Sequence, residues 1–200
     1  MISSALLEAE GLSFSVGGRL LLDRLSFTIQ PGLHFVRGGE GRGKSCLLKL
    51  MAGGLQAQAG VLRCQAAAVF FEDPRDPADD NVVARAWLAT RSQRLPDWDA
   101  NRAAEGIDDF GLADHIDKPL YMLSTGSRRK LGLVAALASG AALTLLDAPF
   151  AALDAAACRL LVARLVQAAE DPAKAWVLAD YELPAGLVGV PLAGCIDLGD

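Results

Sequence analysis

The stretch Gly38-Gly39-Glu40-Gly41-Arg42-Gly43-Lys44-Ser45 has the spacing G-x-x-x-x-G-K-[ST], and it restricts the fold more than any other part of the chain. Glycines at these positions let the backbone curl so that successive N–H groups point inward at one polyphosphate. A helix starting directly behind the loop adds its dipole to that attraction. The motif therefore needs a strand in front and a helix behind. Leu33-His34-Phe35-Val36 reads as a short buried strand, and Cys46 to Ala52 carries apolar residues at helical spacing until Gly53-Gly54 stops it. In such a loop Lys44 pairs with the β- and γ-phosphates of a nucleotide, and Ser45 offers its hydroxyl to Mg²⁺.

The rest of the chain alternates strands with helices, which predicts an α/β core. Ahead of the loop, short apolar runs broken by Gly17-Gly18 lead to Leu25-Ser26-Phe27-Thr28-Ile29 and the stop Pro31-Gly32, the pattern of an antiparallel β-subdomain. Val61 to Arg63 and Ala66 to Phe71 read as strands, followed by the acidic, proline-bearing loop from Glu72 to Pro77. From Asn81 to Ala138 the pattern turns helical, with Val82 to Leu88 and Arg128 to Ala138 as the clearest helices, so an α-helical subdomain inserted at about 76–139 is expected within one domain spanning 1–200. Leu143-Thr144-Leu145-Leu146-Asp147 is an apolar strand ending in a carboxylate, the place where a phosphate-loop fold completes its Mg²⁺ shell. Ala155 to Ala169 reads as a helix, and Trp176 to Ala179 and Gly194 to Leu198 as the last strands.

Composition narrows the partners. An apolar share of 52% in 200 residues is ample for a core. A net charge of −5 without a basic run argues against unaided nucleic-acid binding. No stretch approaches the roughly 18 to 20 apolar residues that span a bilayer, and Met1 to Glu10 lacks a leader pattern, so a cytoplasmic location is expected. Cys46, Cys64, Cys158 and Cys195 are scattered, so they are expected to be buried small hydrophobes rather than metal ligands or disulfides.

With these motifs in their order, the chain resembles the nucleotide-binding subunits of ABC transporters from about Leu12 to its end. Leu123-Ser124-Thr125-Gly126-Ser127 is similar to that family's signature motif, usually L-S-G-G-Q, and Phe150-Ala151-Ala152-Leu153-Asp154 to its D-loop. The resemblance implies a P-loop NTPase core. It also implies ATP and Mg²⁺ as ligands, held by Gly38 to Cys46 together with Ser124, Thr125 and Gly126 of the opposite subunit, with Ser45, Asp147 and Glu72 at the metal. A helix N-terminus opened by small polar residues is an anion site in its own right. Two such sites in one chain imply a head-to-tail dimer enclosing two ATPs, and the D-loop resemblance implies that Asp154 is a contact residue at its interface. A second ATP-binding subunit, alike or different, and an integral membrane permease are the implied partners, which would hold the chain at the inner face of the plasma membrane.

The departures from the family fall at the hydrolytic positions. Ala148 stands where the family carries the glutamate that polarises the attacking water, and Asp180 where it carries a histidine. Where the family's loop supplies a metal-binding glutamine, this chain offers Glu72 or Asp73, and Glu72 and Asp180 are the remaining catalytic candidates. Glu40 replaces an Asn and is expected to point away from the phosphates, while Cys46 weakens one α-phosphate contact. The aromatic that stacks on adenine aligns with Val16, which leaves Phe14 as the candidate for stacking. His34 and His115 read as structural or surface residues. A missing general base removes on the order of 10²- to 10⁴-fold in rate. The reading is therefore an ABC-type ATP-binding subunit that couples ATP binding to a membrane permease, with hydrolysis either slow at this site, aided by Glu72 or Asp180, or carried out by a different subunit of a mixed dimer; the alternative is a non-hydrolysing ATP-binding module for regulation or assembly. A small P-loop kinase fits Lys44, Ser45 and Asp147 but not the stretches at 123–127 and 150–154.

Overall fold

The computed structural model describes residues 5–71 and 79–199, which cluster into two units. The first comprises 5–71, 142–148 and 165–199, and the second 79–141 and 149–164.

The first unit contains two sheets. In the antiparallel one, β1 (Leu7–Val16) lies between β2 (Arg19–Ile29) and β4 (Ala59–Cys64). Gly17 and Gly18, at φ 57° and 79°, close the β1–β2 hairpin in the left-handed backbone region that glycine adopts without strain. Gly60, at φ 85°, lets β4 cross β1 closely, since a Cβ there would lie 2.4 Å from Gly11 O. The second sheet is parallel and runs in the order β5 (Val69–Phe71), β6 (Leu143–Asp147), β7 (Ala175–Asp180), β3 (Gly32–Arg37), β8 (Gly194–Asp197). Its inner strands are continuous apolar runs, as strands covered on both faces require. Every residue of β3 is buried except Arg37, and every residue of β7 except Asp180. Helix α1 (Lys44–Met51) places Leu47, Leu48, Leu50 and Met51 in a core shared with Leu7, Leu12, Ile29, Val36, Leu143 and Val177.

His34 lies in this unit at 1% exposure, with Nε2 2.8 Å from Gln30 O, and burial pushes its pKa below the ordinary histidine value. Phe14 packs in the same core at 8% exposure. Its ring is therefore a packing group and does not serve as the adenine platform expected from the sequence. The cysteine expectation also needs correcting. Cys64 and Cys195 are exposed and Cys46 and Cys158 half-buried, because Cys64 ends β4 and Cys195 sits opposite the buried Ile196 in the alternation of β8.

The second unit is helical: α2 (Ala84–Ser92), α3 (Ala100–Asp109), α4 (Thr125–Ala138) and the start of α5 (Ala155–Ala169), which runs on into the first unit. Helix α2 starts later than the apolar run beginning at Val82 suggested. Val83 is extended and bridges Pro119, and β-branched valines suit that conformation better than a helix. Helix α3 lies inside the stretch 81–138 that reads as helical, and Asp99 caps it by accepting from the N–H groups of Asn101 and Arg102, each at 3.0 Å. Gly106 lets α3 approach Val134 of α4, where a Cβ would sit 3.2 Å from the valine methyl.

Candidate nucleotide site

The loop at 38–43 connects the end of β3 to α1, at the carboxyl edge of the parallel sheet where open α/β folds bind ligands. Its shape is fixed from several sides. Gly41 and Gly43 have φ 69° and 91°, and a side chain on Gly43 would also press on Leu21, whose Cβ lies 3.1 Å from the added atom. A Cβ on Gly38 would meet Leu198 at 3.1 Å, and Gly39 N–H donates to Gly199 O at 2.9 Å. The first turn of α1 closes with Leu47 N–H donating to Gly43 O at 2.8 Å. The amides ahead of that bond are the N–H groups a helix leaves for an outside acceptor.

Lys44 folds back over the loop, with Nζ donating to Gly38 O at 2.6 Å and Gly39 O at 2.8 Å. An ammonium held by two carbonyls can exchange them for phosphate oxygens, which carry full charge. Ser45 Oγ donates to Asp147 Oδ2 at 2.6 Å across 102 residues of sequence, so the serine of the loop and the carboxylate ending β6 converge. Two hard oxygen ligands on the protein, with the remaining positions left to water and phosphate, fit Mg²⁺. Among the described residues no cluster of three His, Cys, Asp or Glu could hold a metal ion.

Beside Asp147, Ala148 sits at φ 45° with its N–H donating to Ala179 O at 2.8 Å, so its backbone is held by β7. Its methyl group offers no acceptor. Asp180 ends β7 in register with Arg37, and its Oδ1 accepts from Tyr181 N–H at 2.7 Å. Glu72, the other catalytic and metal candidate, lies outside the described residues, as does the rest of the loop from Glu72 to Pro77.

Ser124, Thr125 and Gly126 belong to the second unit. Ser124 caps α4, its Oγ accepting from Ser127 N–H at 3.1 Å, and both Ser124 and Thr125 are exposed. Gly126 packs against the 150–154 loop so closely that a Cβ would lie 2.5 Å from Ala152 O. In that loop Asp154 caps α5 by accepting from Ala157 N–H at 2.8 Å and pairs with Lys130 at 2.6 Å. The Lys130 ammonium, helped by the Ala157 amide, lowers the Asp154 pKa to about 2. Arg128 in turn pairs with Asp80. Asp154, expected as an interface contact, is thus engaged within its own chain. Among the described residues, the structure brings together Gly38 to Ser45, Asp147 and Ala148, with Leu21 and the 198–199 tail shaping the loop. The sequence carried no motif for those last supports.

Residues 22–151 match the ABC transporter family. The cytochrome c biogenesis ATP-binding export protein CcmA of Rhizobium meliloti (strain 1021) is 33% identical over 92% of this chain and 94% of its own length. CcmA of Sphingopyxis alaskensis is 35% identical over 81% of this chain and 83% of its own. Among solved structures, an ATP-binding subunit of an ABC transporter superposes with a TM-score of 0.73 over 87% of this chain and 79% of that one, at 19% identity, a likeness of fold alone. Members of this kind bind ATP, usually with Mg²⁺, and typically dimerise and pair with a permease. Among the described residues no helix is long and apolar enough to cross a membrane. The phosphate loop, the Ser45–Asp147 pair, the capped helix at 124–127 and these likenesses agree: the chain belongs to the ABC transporter family, as an ATP-binding subunit of α/β P-loop NTPase fold.

Proposed function

We propose that this chain couples ATP binding, with slow turnover at its own site, to a membrane permease on the cytoplasmic face of the membrane. The observation that carries the reading is the convergence of Lys44 and Ser45 of the loop with Asp147 at the end of β6, with Lys44 held by the Gly38 and Gly39 carbonyls, which it can exchange. Bound there, MgATP supplies the negative charge to which the loop responds. The chain's own residues do the rest: the loop amides orient the phosphates, Lys44 neutralises them, and Ser45 and Asp147 offer oxygens to the metal. The Ser124 to Gly126 helix end of a second subunit, a copy or a relative, closes over the γ-phosphate. Closure moves the permease, which engages the helical unit and the segment at 72–77. The names of the two CcmA relatives support an export system for cytochrome c biogenesis as the first permease partner to test.

Slow turnover follows from Ala148, which offers no acceptor for the attacking water's proton. The same observation favours a second reading, an ATP-binding module that assembles or regulates without hydrolysis. The test is sedimentation of the purified chain with its permease partner, with and without saturating MgATP, alongside phosphate release. ATP-driven association that Lys44→Ala abolishes supports transport coupling. Association with no phosphate release selects the non-hydrolysing reading, and no association at saturating MgATP defeats both.

A further inference from the structure

We infer that Arg19 is a second cationic contact for the nucleotide's phosphate chain, reaching from the β1–β2 hairpin to the middle of the loop at 38–45. The inference rests on the ATP-binding reading above and adds a residue to that site. Gly17-Gly18 turns the chain so tightly that Arg19 pairs with Val16 as the first residue of β2. From there its guanidinium lies along the phosphate loop, where a Cβ built on Gly41 would sit 3.8 Å from Arg19 Nη1. Both Arg19 and Gly41 are exposed, so the group flanks the open side of the loop. Among the described residues the Arg19 guanidinium has neither an ion pair nor a hydrogen bond, and a bare cation beside an anion-binding loop is a ready contact.

Two features of the same unit give that cation a task. Within the loop Glu40 opposes Arg42 and Lys44, leaving one net positive charge, and Arg19 adds a second. The hairpin also lacks a ring for the base: Phe14 is buried in the core, and the exposed side chains at the turn are Val16 (52%), Arg19 and Leu20 (54%). With no stacking there, binding must rely more on the phosphate end, and a planar guanidinium fork matches two phosphate oxygens at once.

The experiment is calorimetric titration of the full chain with MgATP and, separately, with magnesium tripolyphosphate, which has the phosphates and no base. Wild type, Arg19→Ala, Arg19→Lys and Lys44→Ala are compared, with thermal melts verifying the fold. The expected result is a loss of roughly five- to twentyfold in affinity for both ligands in Arg19→Ala, partly recovered in Arg19→Lys, for a charge-assisted contact at an exposed side chain. Unchanged affinities in Arg19→Ala overturn the inference, and so does a loss confined to MgATP, which would place Arg19 on the base or ribose. These outcomes leave ATP binding standing as long as Lys44→Ala still weakens it. If wild type and Lys44→Ala bind MgATP alike or not at all, the ATP-binding reading itself fails and the Arg19 contact falls with it.

Discussion

Replacing Ala148 by Glu should convert a slow site into a competent one. Ala148 follows Asp147 directly, and its N–H is fixed to Ala179 O at 2.8 Å while Asp147 pairs with Ala179 across β6 and β7. The backbone that would carry the carboxylate is already in place. Its φ of 45° costs an L-residue on the order of 1 to 2 kcal/mol, but alanine bears that strain as well, so the substitution adds little new strain. A positioned general base is worth on the order of 10²- to 10⁴-fold, equivalent to about 3 to 5 kcal/mol of activation free energy. The assay is steady-state phosphate release at saturating MgATP for wild type, Ala148→Glu and Ala148→Gln, with ATP affinity measured in parallel. Ala148→Glu should turn over at least about 100-fold faster than Ala148→Gln, which has similar bulk and no base. Equal rates at equal affinity would refute the argument that the missing carboxylate limits this site.

Three further expectations concern stability. Thr144 is fully buried in β6, and its Oγ1 has no hydrogen-bond partner among the described residues, so Thr144→Val should stabilise the chain by about 1 kcal/mol, read as a higher urea midpoint. Gly126→Ala places a methyl group 2.5 Å from Ala152 O and should cost about 1 to 3 kcal/mol in the same assay. The Asp154 pKa is lowered from 3.8 to about 2, so the folded state holds its carboxylate charged where the unfolded chain would take up a proton. That contribution is complete above pH 3.8 and fades as pH falls towards 2. Wild type should therefore exceed Asp154→Asn in urea midpoint at pH 5, with the difference shrinking as the pH approaches 2.

The parts of this protein that were legible in sequence are those in which one local pattern dictates geometry. The run from Leu33 to Ser45 carries its own strand, glycine-loop and helix signals, and Asp147 is legible because a carboxylate ends an otherwise apolar strand. The helix expected from Arg128 to Ala138 lies within α4, which starts at Thr125 behind Ser124. What escaped depended on tertiary neighbours. Phe14 looked available for stacking until the alternation of β1 turned it into the core. Helix α3 buries Ala103 and Gly106, too weak a stripe to mark its bounds inside the helical stretch 81–138. Lys130, 24 residues earlier, comes to meet Asp154, a pairing that nothing local reveals. The clamp of Gly199 on Gly39 joins the end of the chain to the loop, a pairing no short-range pattern encodes.

The loop at 38–45 should grip a nucleotide through Lys44 and its amides. Calorimetric titration of the wild-type chain and of Lys44→Ala with MgATP tests it most directly. Saturable binding that weakens roughly 10- to 100-fold without Lys44 is the result this account expects, the loss of one strong charge-assisted contact. Equal affinities for the two proteins, or no binding to a folded wild type at millimolar MgATP, would contradict it.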